Sequence, residues 1–164
     1  MNQILIKKLR EDAIIPARIT EGSAAYDAML PCDVELKYGR QIIPLGFAIA
    51  MPPTLGLDDR TRAGYAAKGL KAYDEFGKDR DAEGNEYRLD ADVILGLIDS
   101  DYRNEVGVIL HVRDERVKTQ RFFLHREQAV SQLKFCVVPE TEFVEVGELD
   151  ETARIGGFGK QNNE

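Results

Sequence analysis

The sequence predicts an all-β domain, a sandwich, jelly roll or barrel, with one short helix. Three observations predict it. Seven short segments are rich in β-branched or aromatic residues and bounded by Gly, Pro, Asp or Asn. In one of them Val106, Val108, Leu110 and Val112 fall on alternate positions, the period of two that puts a half-buried strand's apolar residues on one face. Only one stretch has convincing helical composition, and glycines limit its length.

In chain order the predicted strands are 4–7, 33–38, 41–51, 104–112, 116–124, 133–138 and 142–146. The helix is predicted around 58–68, with Thr54 or Asp58 as cap and Ala63, Ala66 and Ala67 as helix formers, ended by Gly69. Residues 126–133 read equally as a second helix or as the start of the following strand. Residues 71–88 are about half charged and carry the turn sequence Glu83-Gly84-Asn85-Glu86, which predicts a surface excursion built as a hairpin arm. From Gly147 onward the chain has too few core-forming residues to order itself, so residues 1–146 read as the β domain and 147–164 as a mobile Gly-rich arm.

Composition bounds the function. The 164 residues suit one domain, and 43% apolar residues with a mean hydropathy of -0.34 suit a packed core. There is no apolar run of 18 residues, and the N-terminus lacks the features of a secretory signal, so a soluble, cytoplasmic protein is expected. A net charge of -7 repels nucleic-acid backbones and anionic membranes, which argues against either as partner. Cys32 and Cys136 read as ordinary buried thiols in a reducing compartment. His111 and His125 are too few for a transition-metal site, leaving a hard, oxygen-held ion as the metal to expect.

The most specific stretch runs from Gly96 to Glu105, Gly-Leu-Ile-Asp-Ser-Asp-Tyr-Arg-Asn-Glu. It resembles the third motif of the homotrimeric dUTPases, G-x-I-D-x-D-Y-R-G-E. Gly22-Ser23-Ala24-Ala25-Tyr26-Asp27 resembles that family's first motif, Arg62-Ala63-Gly64-Tyr65-Ala66 its second, Gln132 with its strand its fourth, and Arg154-Ile155-Gly156-Gly157-Phe158-Gly159 its Gly-rich fifth. The five lie in the family's order across nearly the whole chain.

The resemblance implies a jelly-roll fold and a homotrimer whose three active sites are each shared between subunits. It implies Mg²⁺-dependent hydrolysis of dUTP to dUMP and pyrophosphate. Asp99 would be the base that deprotonates the attacking water, and Tyr102 would lie against the deoxyribose and leave no room for a 2′-hydroxyl. Arg62 and Arg154 would bind phosphates in the bidentate manner that lysine cannot copy. Ala63 and Gly64 belong to the phosphate-binding motif, and Gln132 would position phosphate or water. Gly157 and Gly159 let the arm's backbone approach the phosphates while Phe158 stacks on the base. Mg²⁺ would be held through the triphosphate and water, with Asp27 behind it.

The sequence also departs from the family. Ala63 replaces a serine that contacts the phosphate chain, Val93 replaces an asparagine that reads the uracil edge, and Asn104 replaces a glycine whose turn it would suit if the backbone there were left-handed. The fifth motif is one residue short, and Lys160-Gln161 stand in place of small hydroxyl residues. Two other readings are therefore kept: a same-fold nucleotidohydrolase for another deoxynucleotide, and a nucleotide-binding regulatory module that has lost efficient turnover.

Overall fold

Strands pair almost everywhere in the computed structural model, which describes residues 3–150. In chain order they are β1 (Leu5–Lys8), β2 (Tyr26–Met29), β3 (Val34–Glu35), β4 (Gly39–Pro44), β5 (Phe47–Ala50), β6 (Leu55–Arg60), β7 (Leu70–Lys71), β8 (Tyr73–Asp74), β9 (Arg88–Leu89), β10 (Ala91–Val93), β11 (Gly96–Ile98), β12 (Gly107–Val112), β13 (Phe122–Leu124) and β14 (Ala129–Val137). One α-helix, α1 (Ala63–Lys68), follows β6, and a 3-10 turn spans Glu115–Lys118. The largest sheet has the order β11-β6-β14-β2, and a second has β10-β12-β4. A third sheet, β3-β13-β8, and the pairs β1-β5 and β7-β9 complete a jelly-roll-like sandwich of open sheets. Every pairing is antiparallel.

One core joins these sheets, with Phe47, Phe122, Leu30, Ile43, Leu45 and Leu110 among its fully buried side chains. β12 supplies the clearest link from sequence to packing. Its residues alternate in burial, and Val108, Leu110 and Val112 are inaccessible to solvent, as the period of two predicts. Burying each such side chain contributes about 1.5 to 3 kcal/mol, so this stripe alone carries a sizeable part of the domain's stability.

Several segments fold differently from expectation. The run 41–51 is two strands, broken at Gly46, whose φ of 77° suits glycine and where a Cβ would meet that of Ala13 at 3.0 Å. In 33–38 only Val34 and Glu35 are paired as strand. The predicted strand 116–124 begins as a 3-10 turn capped by Asp114, whose side chain accepts from the Arg116 amide. Residues 58–60 end β6 instead of beginning the helix, and Arg62, not Thr54 or Asp58, occupies the N-cap. Residues 126–133 are a turn followed, from Ala129, by the start of β14, not a helix. Residues 142–146 form no strand, and Phe143 stands fully exposed. Cys32 and Cys136 are free but only half-buried.

The charged excursion is a hairpin, as expected. Leu70 pairs with Leu89 and Lys71 with Arg88 at its base, Arg80 bridges Glu86 near its tip, and Lys71 Nζ lies 2.8 Å from Asp79 Oδ2. Its root is core, because Leu70, Ala72 and Leu89 are buried, so the arm is anchored on both sides. Among the described residues no helix is long and apolar enough to cross a membrane.

Candidate active site

The four-stranded sheet places the predicted residues at two stations. The first lies where β6 runs into α1. Gln132 on β14 sits opposite Asp27 on β2 and Arg60 on β6, which brings the first, second and fourth motifs side by side. Asp27 is the hub. Its carboxylate is buried, Oδ2 accepts from Arg62 Nη2 at 3.1 Å, and Oδ1 accepts from Gln132 Nε2 at 3.1 Å. A charge this deep is tolerated only when paired and hydrogen-bonded, and both oxygens are.

The Arg62 guanidinium also lies over the Tyr65 ring, 5.4 Å from its centroid, while the Tyr65 hydroxyl donates to the Ala129 carbonyl at 2.9 Å. Stacking and ion pairing together fix the direction of the guanidinium. Arg62, Ala63, Gly64, Tyr65, Lys68, Arg88 and Gln132 line a cavity of about 390 Å³, open and rich in positive charge. Such a field favours a polyanion despite the net charge of the chain.

The second station is the turn after β11. Asp99 is exposed there, and the Tyr102 amide donates to the Asp99 carbonyl at 3.2 Å, closing the turn. The Tyr102 hydroxyl donates to the Glu105 carbonyl at 3.1 Å, holding the ring over a cavity of about 230 Å³. That cavity is lined by Asp59, Ile94, Gly96, Ile98, Asp99 and Tyr102 among others, and it suits a single ring better than a drug-sized ligand, whose sites run roughly 300 to 1,000 Å³. Asn104 needs no left-handed backbone, since Glu127 is the one non-glycine at positive φ among the described residues. The loss of glycine at 104 therefore costs the turn nothing.

The two cavities share no lining residue. Along the chain the two adjoin, because Asp59 of one lies three residues before Arg62 of the other. Arg154, Gly157, Phe158 and Gly159 lie outside the described residues.

Three residues that line these cavities were not expected from sequence. Lys68 follows Gly64 by four positions on α1, a spacing that places both on one face and could have signalled it. Arg88 is returned to the first cavity by the β7-β9 pairing, where Glu86 Oε2 holds it at 2.6 Å, and no local signal marks it. Asp59 is the third. It faces Gly96 across β6-β11, is 3% exposed, and burial pushes its carboxyl up to about 6. A charged residue in a short polar strand gives no sequence sign that it turns inward.

Metal binding can be tested on the donors present. Among the described residues no three of His, Cys, Asp or Glu converge as a metal site. Asp27 has both oxygens engaged, so it fits a place behind Gln132 and not a direct ligand. The donor set therefore accommodates an ion such as Mg²⁺ only if phosphates and water supply most of its oxygens.

No family model matches the chain. Its fold is that of solved phage dUTPases: one from Staphylococcus bacteriophage 80alpha superposes with a TM-score of 0.76 at 17% identity, covering 97% of this chain and 98% of that one. Another, from phage phi11 of S. aureus and described with a structural Mg(II) ion, superposes with a TM-score of 0.71 at 16% identity over 90% and 98%. In sequence, the deoxyuridine 5'-triphosphate nucleotidohydrolase of Paramecium bursaria Chlorella virus 1 is 32% identical over 161 residues, 97% of each chain. That of Nautilia profundicola is 31% identical over 160 residues, 96% of each. Identity at this level along both full lengths, on a fold that carries the motif residues at the two stations, places the chain in the deoxyuridine 5'-triphosphate nucleotidohydrolase family.

Proposed function

We propose that this protein hydrolyses dUTP to dUMP and pyrophosphate by attack of water on the α-phosphorus. The observation that carries the reading is the closed turn that presents Asp99 and Tyr102 together at the lip of a ring-sized cavity. Asp99 takes the proton from the attacking water, and its exposure leaves room for that water. Tyr102 packs against the deoxyribose. Arg62, oriented by Asp27 and Tyr65, meets the accumulating phosphate charge, with Gln132 held beside it for phosphate or water. Backbone around Ala63 and Gly64 borders the phosphate chain, and Lys68 and Arg88 add charge to the same cavity.

That the two cavities share no lining residue supports a site completed by a second subunit, with base and sugar on one copy and phosphates on the next. A homotrimer with three shared sites is the assembly proposed. The segment 147–164 completes each site, bringing Arg154 to the phosphates, the amides of Gly157 and Gly159 to the same oxygens, and Phe158 to the base. Mg²⁺ carried on the triphosphate would neutralise phosphate charge, with Gln132 and Asp27 on its protein side. Phage dUTPases related to this fold have been solved with the analogue dUPNHPP, which supports a triphosphate as ligand here. The protein is proposed to act in the cytoplasm, where nucleotides are processed.

A second reading, the same chemistry on another deoxynucleotide, is favoured by Val93. Its side chain is buried, and its amide and carbonyl are both spent on Thr61 Oγ1, at 3.0 and 2.9 Å. Release of pyrophosphate from dUTP, dTTP, dCTP and UTP, with Mg²⁺ and with chelator, separates the readings. Preference for dUTP, lost with chelator, is expected; preference for another base selects the second reading, and tight binding without turnover defeats both.

A further inference from the structure

The geometry points to Asp59 as a specificity-determining residue that reads the hydrogen-bonding edge of the pyrimidine, an assignment that rests on the nucleotide reading above. Three observations converge on it. Asp59 lines the same cavity as Asp99 and Tyr102. It stands across from Gly96, where an added Cβ would meet no atom within 4 Å. Its Oδ1 is buried without a hydrogen-bond partner among the described residues.

An orphaned buried carboxyl oxygen is costly, and a bound group or an ordered water that supplies a donor removes that cost. The other polar groups at the cavity do not supply this function. Asp99 sits on the exposed turn, the Tyr102 hydroxyl is engaged by Glu105, and the Val93 backbone is engaged by Thr61. From β14 the Ser131 hydroxyl lies near the Asp59 carboxyl and favours its charged form, while Leu133 on the same strand and Ile98 on β11 are apolar. Asp99 and Tyr102 are thus the titratable groups that share the cavity with it.

The chemistry matches one kind of edge. Burial holds the Asp59 carboxyl in its neutral form over a wider pH range than usual, and a neutral carboxyl presents a donor and an acceptor side by side. The N3–H and C4=O of a 2,4-dioxopyrimidine present the complementary pair. Asp59 accepts from N3–H and, protonated, donates to the carbonyl; because the free carboxyl is ionised above about 6, binding at neutral pH takes up a proton. An asparagine carries the same adjacent acceptor and donor; valine carries neither.

The test is a coupling measurement on full-length protein. Specificity constants are measured for dUTP and for its N3-methyl analogue, which lacks the ring N–H, with wild type, Asp59→Asn and Asp59→Val. Thermal melts verify that each variant folds, and affinities for the α,β-imido forms of the two nucleotides, which resist cleavage, serve where turnover is weak. Expected is a loss of about tenfold or more on N3-methylation in wild type and Asp59→Asn. Asp59→Val should lose a similar factor on dUTP and be nearly indifferent to methylation. Equal penalties for methylation in wild type and Asp59→Val overturn the assignment while leaving dUTP turnover intact as a reading. Absence of dUTP turnover by wild type overturns both.

Discussion

The two stations of the site are built on opposite principles. At the proposed phosphate side Asp27, Arg62 and Gln132 are buried or half-buried and hydrogen-bonded through Asp27, with Tyr65 under the Arg62 guanidinium, all set on paired strands and a helix. At the proposed base side Asp99 and Tyr102 are exposed on a four-residue turn whose contacts are almost all local. The first is preorganised within one chain, as electrostatic stabilisation of a developing charge requires. The second is preorganised only in its backbone, which leaves the carboxylate free to meet water. The difference teaches that mutations at the two stations should separate stability from chemistry.

The sharpest separation is expected at Asp99. Removing a general base costs about 10² to 10⁴ in turnover, whereas an exposed substitution shifts stability by less than about 0.5 kcal/mol. Asp99→Asn should therefore be nearly inactive in pyrophosphate release while melting within about 2 °C of wild type. It also offers a test of shared sites. Subunits carrying Asp99→Asn and subunits carrying Arg62→Ala, each inactive alone, should regain about a quarter of wild-type activity when refolded together in equal amounts, because about that share of sites draws its intact half from each. No recovery would break the two-subunit arrangement.

Asp27→Ala should lower stability as well as activity. It leaves Arg62 and Gln132 without their acceptor, and breaking a buried pair costs about 3 to 5 kcal/mol; the partial exposure of Arg62 puts the expected loss near about 3 kcal/mol. Chemical denaturation should show it as a lower midpoint with an unchanged slope. Asp27→Asn, which keeps an acceptor for one partner, should lose less.

How legible these stations were depends on where each one's information lies. The base-side turn was readable because its residues are contiguous from Gly96 to Glu105 and its bonds are local. The phosphate-side cluster was readable only as separated motifs, since Asp27 meets Gln132 across a sequence separation of 105 residues. β12 announced itself through alternation, but β6 did not, because Asp58, Asp59 and Arg60 look like a turn or helix start and only the flanking strands β11 and β14 make them strand. The segment 142–146 has strand composition with no partner among the described residues, which composition alone does not reveal. Asp59 was invisible for the same reason: tertiary structure, not the residue type, buries it.

Asp59, at the second station's cavity, should show a stability penalty that depends on pH. Its folded-state carboxyl is pushed up to about 6, above the ordinary 3.8, chiefly by burial. The folded protein thus holds a proton that the unfolded chain releases, so stability falls as pH rises from about 3.8 to about 6 and stays lower above that window. Asp59→Val removes the group that titrates. At pH 7 it should stabilise the fold by on the order of 1 to 3 kcal/mol, and at pH 4 by much less. Melting curves at the two pH values check this, and equal shifts at both would show that ionisation is not the cause.

The smallest effect concerns Ala63, the first residue of α1 and exposed at the wall of the phosphate-side cavity. A serine there would lose little helix propensity, and its hydroxyl would stand beside the path assigned to the phosphate chain. A hydrogen bond to a charged oxygen contributes about 1.5 to 3 kcal/mol when well aligned, but a side chain added to an open, solvated wall should realise only part of that. Ala63→Ser should therefore raise turnover of dUTP by about three- to tenfold, with the gain in kcat and little change in KM if the contact tightens in the transition state. A fall in KM at constant kcat would instead mean that the hydroxyl binds ground state and transition state alike. An unchanged rate would place the phosphates away from the start of α1, on the Lys68 and Arg88 side of the cavity.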